Sequence, residues 1–261
     1  IEIFKKLFGD NWTFRLEHVM RYTVLALFDY PNSTIFGILK MLTDKNYRQK
    51  VVSHINDTVV KNFWVNEFAA WSEKFDNEAI VPILNKIGQF VSTALVRNIV
   101  GQPQNRMDMD DIMNNQKILL MNVSKGTLSE EISGLIGAMI ITSLYRSAMK
   151  RAAMAEDDRK DFYLYVDEFQ NFATDTFCSI LSEARKYRLA LIMAHQYINQ
   201  LVVSKSGATS TQIRDAVFGN VGTLQSFKVG AEDGEYLAKE YAPVLTEQDI
   251  IGISNYKAYI K

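Results

Sequence analysis

Two adjacent carboxylates, Asp167 and Glu168, close an apolar run that begins at Phe162. Such a run is typical of a strand buried on both faces of a parallel sheet, and open sheets of this kind bind ligands at the carboxyl ends of their strands. One carboxylate there can hold Mg²⁺, often through water, and the other can polarise an attacking water molecule. The pair therefore predicts a site for metal-assisted hydrolysis.

A second apolar run, 189–194, follows after one predicted helix and ends in His195 and Gln196. This β-α-β spacing is that of the hydrolytic half of a P-loop ATPase acting on ATP and Mg²⁺. In such a site Asp167 would hold the metal, Glu168 would polarise the water and Gln196 would sense the γ-phosphate. We interpret His195 as a packing residue at the strand end rather than as a base.

The phosphate-binding loop that this layout requires is missing, because no G-x-x-x-x-G-K-[ST] pattern occurs in the chain. The first residue is Ile1 rather than Met. We therefore expect the chain to be part of a longer protein and doubt that it binds ATP by itself.

Composition excludes several other classes of protein. The chain has 261 residues, 48% of them hydrophobic, and a net charge of -1, so any contact with nucleic acid must be local. The single cysteine, Cys178, excludes an intrachain disulfide and fits a reducing compartment. Three histidines with one cysteine give no metal-site spacing. No apolar run reaches the length of a membrane span, so we predict a chain without a transmembrane segment.

The pattern changes near residue 105, which predicts a helical domain over 1–105 and an α/β domain over 106–261. In the first part, apolar residues recur at helical spacing over 16–27, 35–42, 57–71 and 77–93. The aromatic face of the third stretch predicts helix packing rather than a ligand site.

In the second part, predicted strands alternate with predicted helices, which indicates a parallel α/β sheet. The strands are predicted at 117–123, 162–166, 189–194, 223–229 and 257–260, and the helices at 129–151, 174–187, 212–218 and 233–241. The Gly/Ser/Thr-rich stretch 204–211 predicts a flexible connection. Ser124 and Lys125 follow the first strand and are weak candidates for contact with a substrate or nucleotide.

Three blocks, 162–172, 180–188 and 218–223, occur in an order that resembles the motor ATPases of conjugation and type IV secretion, including TraG/TraD-like and HerA/FtsK-like proteins. The resemblance covers most of the chain. It implies a RecA-like parallel sheet with helices on both faces, and an all-α insertion in the N-terminal part.

By the same resemblance, the chain belongs to a homo-hexameric, ATP-driven pump for DNA or protein substrates. Such a pump works with membrane-associated secretion components at the cytoplasmic face of the cell membrane. Asp167 and Glu168 match the Walker B pair and Gln196 the sensor. Arg185 matches the arginine that reaches the γ-phosphate of a neighbouring subunit, with Arg214 as the second candidate.

The resemblance also predicts the order of strands. The 162–166 strand should lie between the strands at 117–123 and 189–194, with a gap before 223–229 where the strand of the missing loop belongs. Two other functions stay open at this point. One is a catalytically inactive or partner-binding fragment of such a system. The other is a hydrolase that uses Asp167 and Glu168 on a small substrate, which needs a further ligand cluster that the sequence does not supply.

Overall fold

A computed structural model describes residues 1–71, 73–173, 175–205 and 208–261. They form a mixed α/β protein in which helices predominate, so the predicted α/β class is confirmed. Internal contacts divide the chain into two compact units: Ile1–Asp108 with Met121–Met139, and Met109–Leu120 with Ile140–Lys261. The units interleave along the chain, and a domain boundary at residue 105 stays a prediction.

The first unit is helical throughout its long N-terminal segment, as its apolar periodicity predicts. Its helices are α1 Glu2–Phe8, α2 Phe14–Phe28, α3 Phe36–Thr43, α4 Lys45–His54, α5 Thr58–Asn62, α6 Glu73–Ser92 and α7 Ala94–Val100. The buried face of α2 carries Leu16, Val19 and Met20 and packs against α3 and α6.

The aromatic residues after α5 form part of this core. Phe63 and Trp64 lie in a π-helical turn, Phe63–Glu67, and are 2% and 3% exposed. Phe63 stacks on Tyr22 of α2 with ring centroids 4.4 Å apart. The indole N–H of Trp64 donates to the Tyr22 carbonyl at 3.3 Å, so its one polar group is paired inside the core. The prediction of aromatic helix packing is confirmed.

The second unit alternates helices with short strands. One helix, α9, begins in the first unit and ends in the second. The elements are α8 Met109–Asn114, α9 Glu130–Lys150, β1 Phe162–Val166, α10 Asp175–Glu183, β2 Leu189–Met193, β3 Val203–Lys205, β4 Ala208–Ser210, α11 Gln212–Asn220, β5 Gln225–Ser226, α12 Ala231–Tyr241, α13 Glu247–Gly252 and β6 Tyr259–Ile260. α10 packs against α11, and α12 packs against α13.

β1 and β2 are parallel neighbours, with Phe162 opposite Leu189 and Val166 opposite Met193. This confirms the predicted pairing of the two apolar runs that end in the candidate site. Over the described residues the other pairs, β3 with β4 and β5 with β6, are antiparallel.

Two predicted strands of the parallel sheet are wrong. Residues 117–123 form no strand, and Ile118 and Leu120 are 88% and 89% exposed. The segment leaves α8 through Gln116, whose φ is 53°, and Lys117 pairs with Asp111 of that helix at 2.5 Å. An apolar run becomes a strand only where a neighbouring strand takes up its backbone hydrogen bonds, and within the described chain none does so here.

The strand predicted at 223–229, across a gap from β2 in the parallel sheet, shortens to β5 and pairs antiparallel with β6. Tyr241 supports this small antiparallel pair, because the single hydrogen of its hydroxyl is shared between the Leu224 and Tyr259 carbonyls, at 3.1 and 3.2 Å. The predicted final strand near residue 260 is confirmed. The predicted order of strands around β1 is therefore correct for β2 alone.

The connection predicted to be flexible, 204–211, includes Ser206 and Gly207, which lie outside the described residues. On either side of them, β3 and β4 pair through Val203 with Ser210 and Lys205 with Ala208. The described part of this connection is thus an antiparallel strand pair.

One described helix, Glu130–Ala153, is long and apolar enough to cross a membrane, with a mean hydropathy of 1.3. A bent pair, Ala79–Gln89 with Ala94–Val100, passes the same test only when both parts are taken together. Core helices of soluble proteins also pass it, and 56% of the tested window in Glu130–Ala153 is buried. The absence of a transmembrane segment stays a prediction.

A buried arginine lies at the amino ends of β1 and β2, opposite the carboxylates. Arg151 is 1% exposed. Its guanidinium donates to the Met113, Lys160 and Tyr187 carbonyls at 2.8, 2.8 and 3.0 Å, and to Asn114 Oδ1 at 2.9 Å. It therefore joins the end of α8 to the segments that lead into β1 and β2.

Replacing this arginine should destabilise the second unit. We expect Arg151→Met to lower the free energy of unfolding by about 3 kcal/mol, because it leaves buried carbonyl oxygens without donors. Arg146→Met, at an exposed position of α9, is the matched control and should change stability by less than about 0.5 kcal/mol. Urea unfolding of the 261-residue chain measures both, and equal stability of the two variants would contradict the role of Arg151.

Candidate functional site

The candidate site lies where β1 and β2 end. Hydrogen bonds between the strands continue past their last residues, from Ala194 N–H to the Val166 carbonyl at 3.0 Å and from Phe169 N–H to the Ala194 carbonyl at 3.1 Å. Asp167 and Glu168 are therefore held between ordered backbone on both sides, directly beside the end of β2.

The chain turns sharply at Glu168, which has φ 50° and ψ 43°. A residue with a side chain reaches this left-handed region at a cost of roughly 1–2 kcal/mol. The Glu168 N–H donates to Asp167 Oδ1 at 2.9 Å, and a short turn, Phe169–Asn171, follows. Strained backbone of this kind is characteristic of functional sites, where the surrounding structure maintains it.

Both oxygens of the Glu168 carboxylate accept hydrogen bonds from glutamine amides. Gln170 Nε2 donates to Oε2 at 2.6 Å, and Gln196 Nε2 donates to Oε1. The structure thus brings together Glu168 and Gln196 from the ends of two neighbouring strands. Their roles in hydrolysis stay predictions.

The loop after β2 is fixed by side chains as well. Gln200 Oε1 accepts from the N–H groups of Gln196 and Tyr197 at 3.2 and 3.1 Å. Asp233, in the first turn of α12, accepts from Ile198 N–H at 3.3 Å. These contacts hold the backbone on which the Gln196 side chain is carried.

His195 packs edge-on against Phe169, with ring centroids 5.5 Å apart. Phe169 in turn stacks on Phe177. Burial lowers the pKa of the His195 imidazole below its usual value, and the Tyr197 backbone and the Asp233 and Glu168 carboxylates only partly oppose this shift. Burial thus favours the neutral imidazole, and the interpretation of His195 as a packing residue rather than a base stays a prediction.

Asp167 is exposed and carries the predicted metal-binding carboxylate. Among the described residues, no group of three or more His, Cys, Asp or Glu side chains could hold a metal ion. A single carboxylate does not form a metal cage, but it fits Mg²⁺ that arrives with a nucleotide, since Mg²⁺ takes one or two carboxylates together with phosphates and waters. The rival hydrolase, which needs a further ligand cluster, gains no support from these residues.

Arg185 lies at the amino end of β2, in the turn Ala184–Tyr187 before that strand. The five residues of β2 span about 16 Å, so this exposed side chain does not join Glu168 of its own chain. Among the described residues, no hydrogen bond or ion pair holds its guanidinium. Arg214, the second candidate, pairs with Asp215 at 3.0 Å and lies over the Tyr236 ring at 5.2 Å.

The two weak candidates, Ser124 and Lys125, belong to the other unit. Lys125 Nζ pairs with Glu130 Oε1 at 2.6 Å, and Ser124 Oγ accepts from Gly126 N–H at 3.2 Å. Both side chains thus have local partners at the start of α9.

Two residues of the site, Gln170 and Gln200, were not predicted from the sequence. Each lies within four residues of a predicted site residue, and this is the only signal that the sequence carries for them. Amide side chains that bond to other side chains follow no periodicity, so only the folded geometry identifies them.

Comparisons with protein-family models, with curated proteins and with solved structures found no match to this chain.

Proposed function

We propose that this chain is part of an ATP-driven motor of a conjugation or type IV secretion system. The observation that carries the proposal is the hydrogen bond between Glu168 and Gln196 across the ends of two neighbouring parallel strands. A water-polarising carboxylate and a γ-phosphate sensor in a P-loop ATPase need this proximity.

We also propose that β1 and β2 belong to a RecA-like sheet with helices on both faces, and that the helical first part is an insertion in it. Tyr163 and Tyr165 on one face of the strand pair are 59% and 73% exposed, and Ile192 beside them is 40% exposed. Parallel sheets are normally covered on both faces. The bare face therefore supports further helices packed on this side of the sheet in the complete assembly.

In the proposed reaction, the oxygen of a water molecule forms a bond to the γ-phosphorus of ATP. The bond from that phosphorus to the bridging oxygen breaks, and its electron pair leaves with ADP. Glu168 accepts a hydrogen bond from the water and orients it, and the released proton passes to the carboxylate or the phosphate product. Gln196 donates to a γ-phosphate oxygen. Mg²⁺ held by Asp167 and the phosphates would supply neutralisation of the phosphate charge.

Arg185 acts in this proposal on the γ-phosphate of a neighbouring subunit in a homo-hexamer. Arg185 lies at the end of β2 opposite Glu168, and no described residue pairs with its guanidinium. Both features favour it over Arg214, which already pairs with Asp215. The pumped substrate is DNA or protein, and the partners are membrane-associated secretion components at the cytoplasmic face of the membrane. These last assignments depend on the motif resemblance alone.

A second candidate is a catalytically inactive or partner-binding part of such a system. One specific observation favours it, because the 261 residues contain no Walker A loop. The motor therefore needs a phosphate cradle supplied from outside these residues.

The test compares the 261-residue chain with the full-length natural protein. We expect the chain alone to release no phosphate from Mg²⁺·ATP, since affinity in this fold depends largely on the backbone amides and lysine of the missing loop. The full-length protein should release phosphate continuously in the same assay. Lack of turnover by the full-length protein in the presence of its secretion partners would favour the inactive candidate. Turnover by the isolated chain that Glu168→Gln abolishes would contradict the need for an external cradle.

A further inference from the structure

The Gln170 side-chain amide forms a hydrogen bond through its nitrogen, whereas its oxygen has no hydrogen-bond partner among the described residues. Its Nε2 donates to Glu168 Oε2 at 2.6 Å. Its Oε1 is buried, and no hydrogen-bond donor among the described residues reaches it. The same side chain thus touches the proposed water-polarising carboxylate and carries, on the same amide, a covered acceptor that no described donor satisfies.

A buried carbonyl oxygen without a donor costs about 1–3 kcal/mol, so such an atom calls for an explanation. Turning the amide over would satisfy Oε1 no better, because it would place a carbonyl oxygen against the Glu168 carboxylate. A water molecule, which has two hydrogens to donate, would satisfy the oxygen once the neighbouring atoms that cover it in this structure shift.

We propose that Gln170 is a catalytic residue that holds the attacking water together with Glu168. Its amide N–H fixes the carboxylate, and its Oε1 accepts one hydrogen of the water while Glu168 accepts the other. A water that donates both hydrogens directs its lone pairs away from these acceptors and toward the phosphorus. This inference rests on the proposed function, and the bonds made and broken are those given above for ATP hydrolysis.

Gln170→Met in the full-length protein removes both ends of the amide at nearly constant volume. We expect kcat for ATP to fall about 100-fold, the effect of a misplaced reactant, while KM stays within about twofold because Gln170 contacts the water and not the nucleotide. Gln170→Asn, which keeps the amide but draws it back by one methylene, should lose a similar factor and serves if the methionine variant folds poorly. Gln248→Met, at an exposed position of α13, is the matched control and should keep both constants.

A second measurement does not depend on activity. In the 261-residue chain, Glu168→Ala should shift the side-chain amide signals of Gln170 and Gln196 in ¹⁵N–¹H spectra and leave those of Gln248 unchanged. Unshifted Gln170 signals would overturn the contact on which the inference depends.

The results distinguish a failure of the role of Gln170 from a failure of the proposed function. If the wild-type protein hydrolyses ATP and the Gln170→Met variant has the same kcat, the role of Gln170 is overturned and the proposed function stays intact. A variant with raised KM and unchanged kcat also overturns it, because the residue would then bind nucleotide. A full-length wild-type protein without turnover refutes the proposed function and the inference with it.

Discussion

Glu168→Gln in the full-length protein should reduce ATP turnover by at least about 100-fold and leave the affinity for ATP within a few-fold. The amide keeps the shape of the carboxylate but cannot take a proton from water. In the structure the two carboxylate oxygens face the amides of Gln170 and Gln196. One of these amides must turn over so that its oxygen accepts a hydrogen bond from the new NH₂ group. The hydrogen bonds of the site are then kept, while the group that polarises water is lost.

Nucleotide affinity and phosphate release measured on the same preparation check this result. Glu235→Gln is the matched control, because Glu235 is exposed on α12 and pairs only with Lys239 among the described residues, at 3.2 Å. The control should behave as wild type. A Glu168→Gln protein with wild-type turnover would exclude Glu168 as the group that polarises water.

The second large effect is expected at Arg185. Arg185→Ala should lower turnover about 1,000-fold, the magnitude typical of an arginine that stabilises transferred phosphate charge. If the arginine acts between subunits, mixing Arg185→Ala with Glu168→Gln subunits restores interfaces in which both groups are intact. In a ring mixed at random in equal amounts, about one interface in four is of this kind.

The mixing experiment needs a control at the competing position. Arg214→Ala should lose less activity, because Arg214 already pairs with Asp215 and packs on Tyr236 within its own chain. Mixing Arg214→Ala with Glu168→Gln should restore no more than dilution explains. If Arg185→Ala mixtures regain nothing at any ratio, the action of Arg185 between subunits is wrong.

The pairing of β1 with β2 could be predicted because two apolar runs of strand length flank one helix and each ends in polar residues. Local pattern and tertiary structure agree there. The helical faces of the first unit were predictable for the same reason. At Ile118 and Leu120 the same kind of apolar run carries no information about whether a partner strand exists, and the segment stays exposed.

The supporting groups of the site were less accessible to prediction. Gln170 and Gln200 act through bonds from amide groups to a carboxylate and to backbone N–H groups, and such bonds depend on the turn at Glu168 and the loop after β2. Neither the turn at Glu168 nor the loop after β2 contains a glycine or proline from which a turn could be predicted. The sequence therefore indicates the carboxylates and the sensor, whereas the folded chain identifies what holds them.

We propose that the carboxyl ends of β1 and β2 bind the γ-phosphate of ATP. A structure of the full-length protein with Mg²⁺ and a non-hydrolysable ATP analogue tests it most directly. We predict the γ-phosphate within hydrogen-bond distance of Gln196 Nε2, about 3 Å, and a water molecule between Glu168 and Gln170. A nucleotide bound on another surface of the protein, with no water molecule between Glu168 and Gln170, would show that these strand ends do not bind the γ-phosphate.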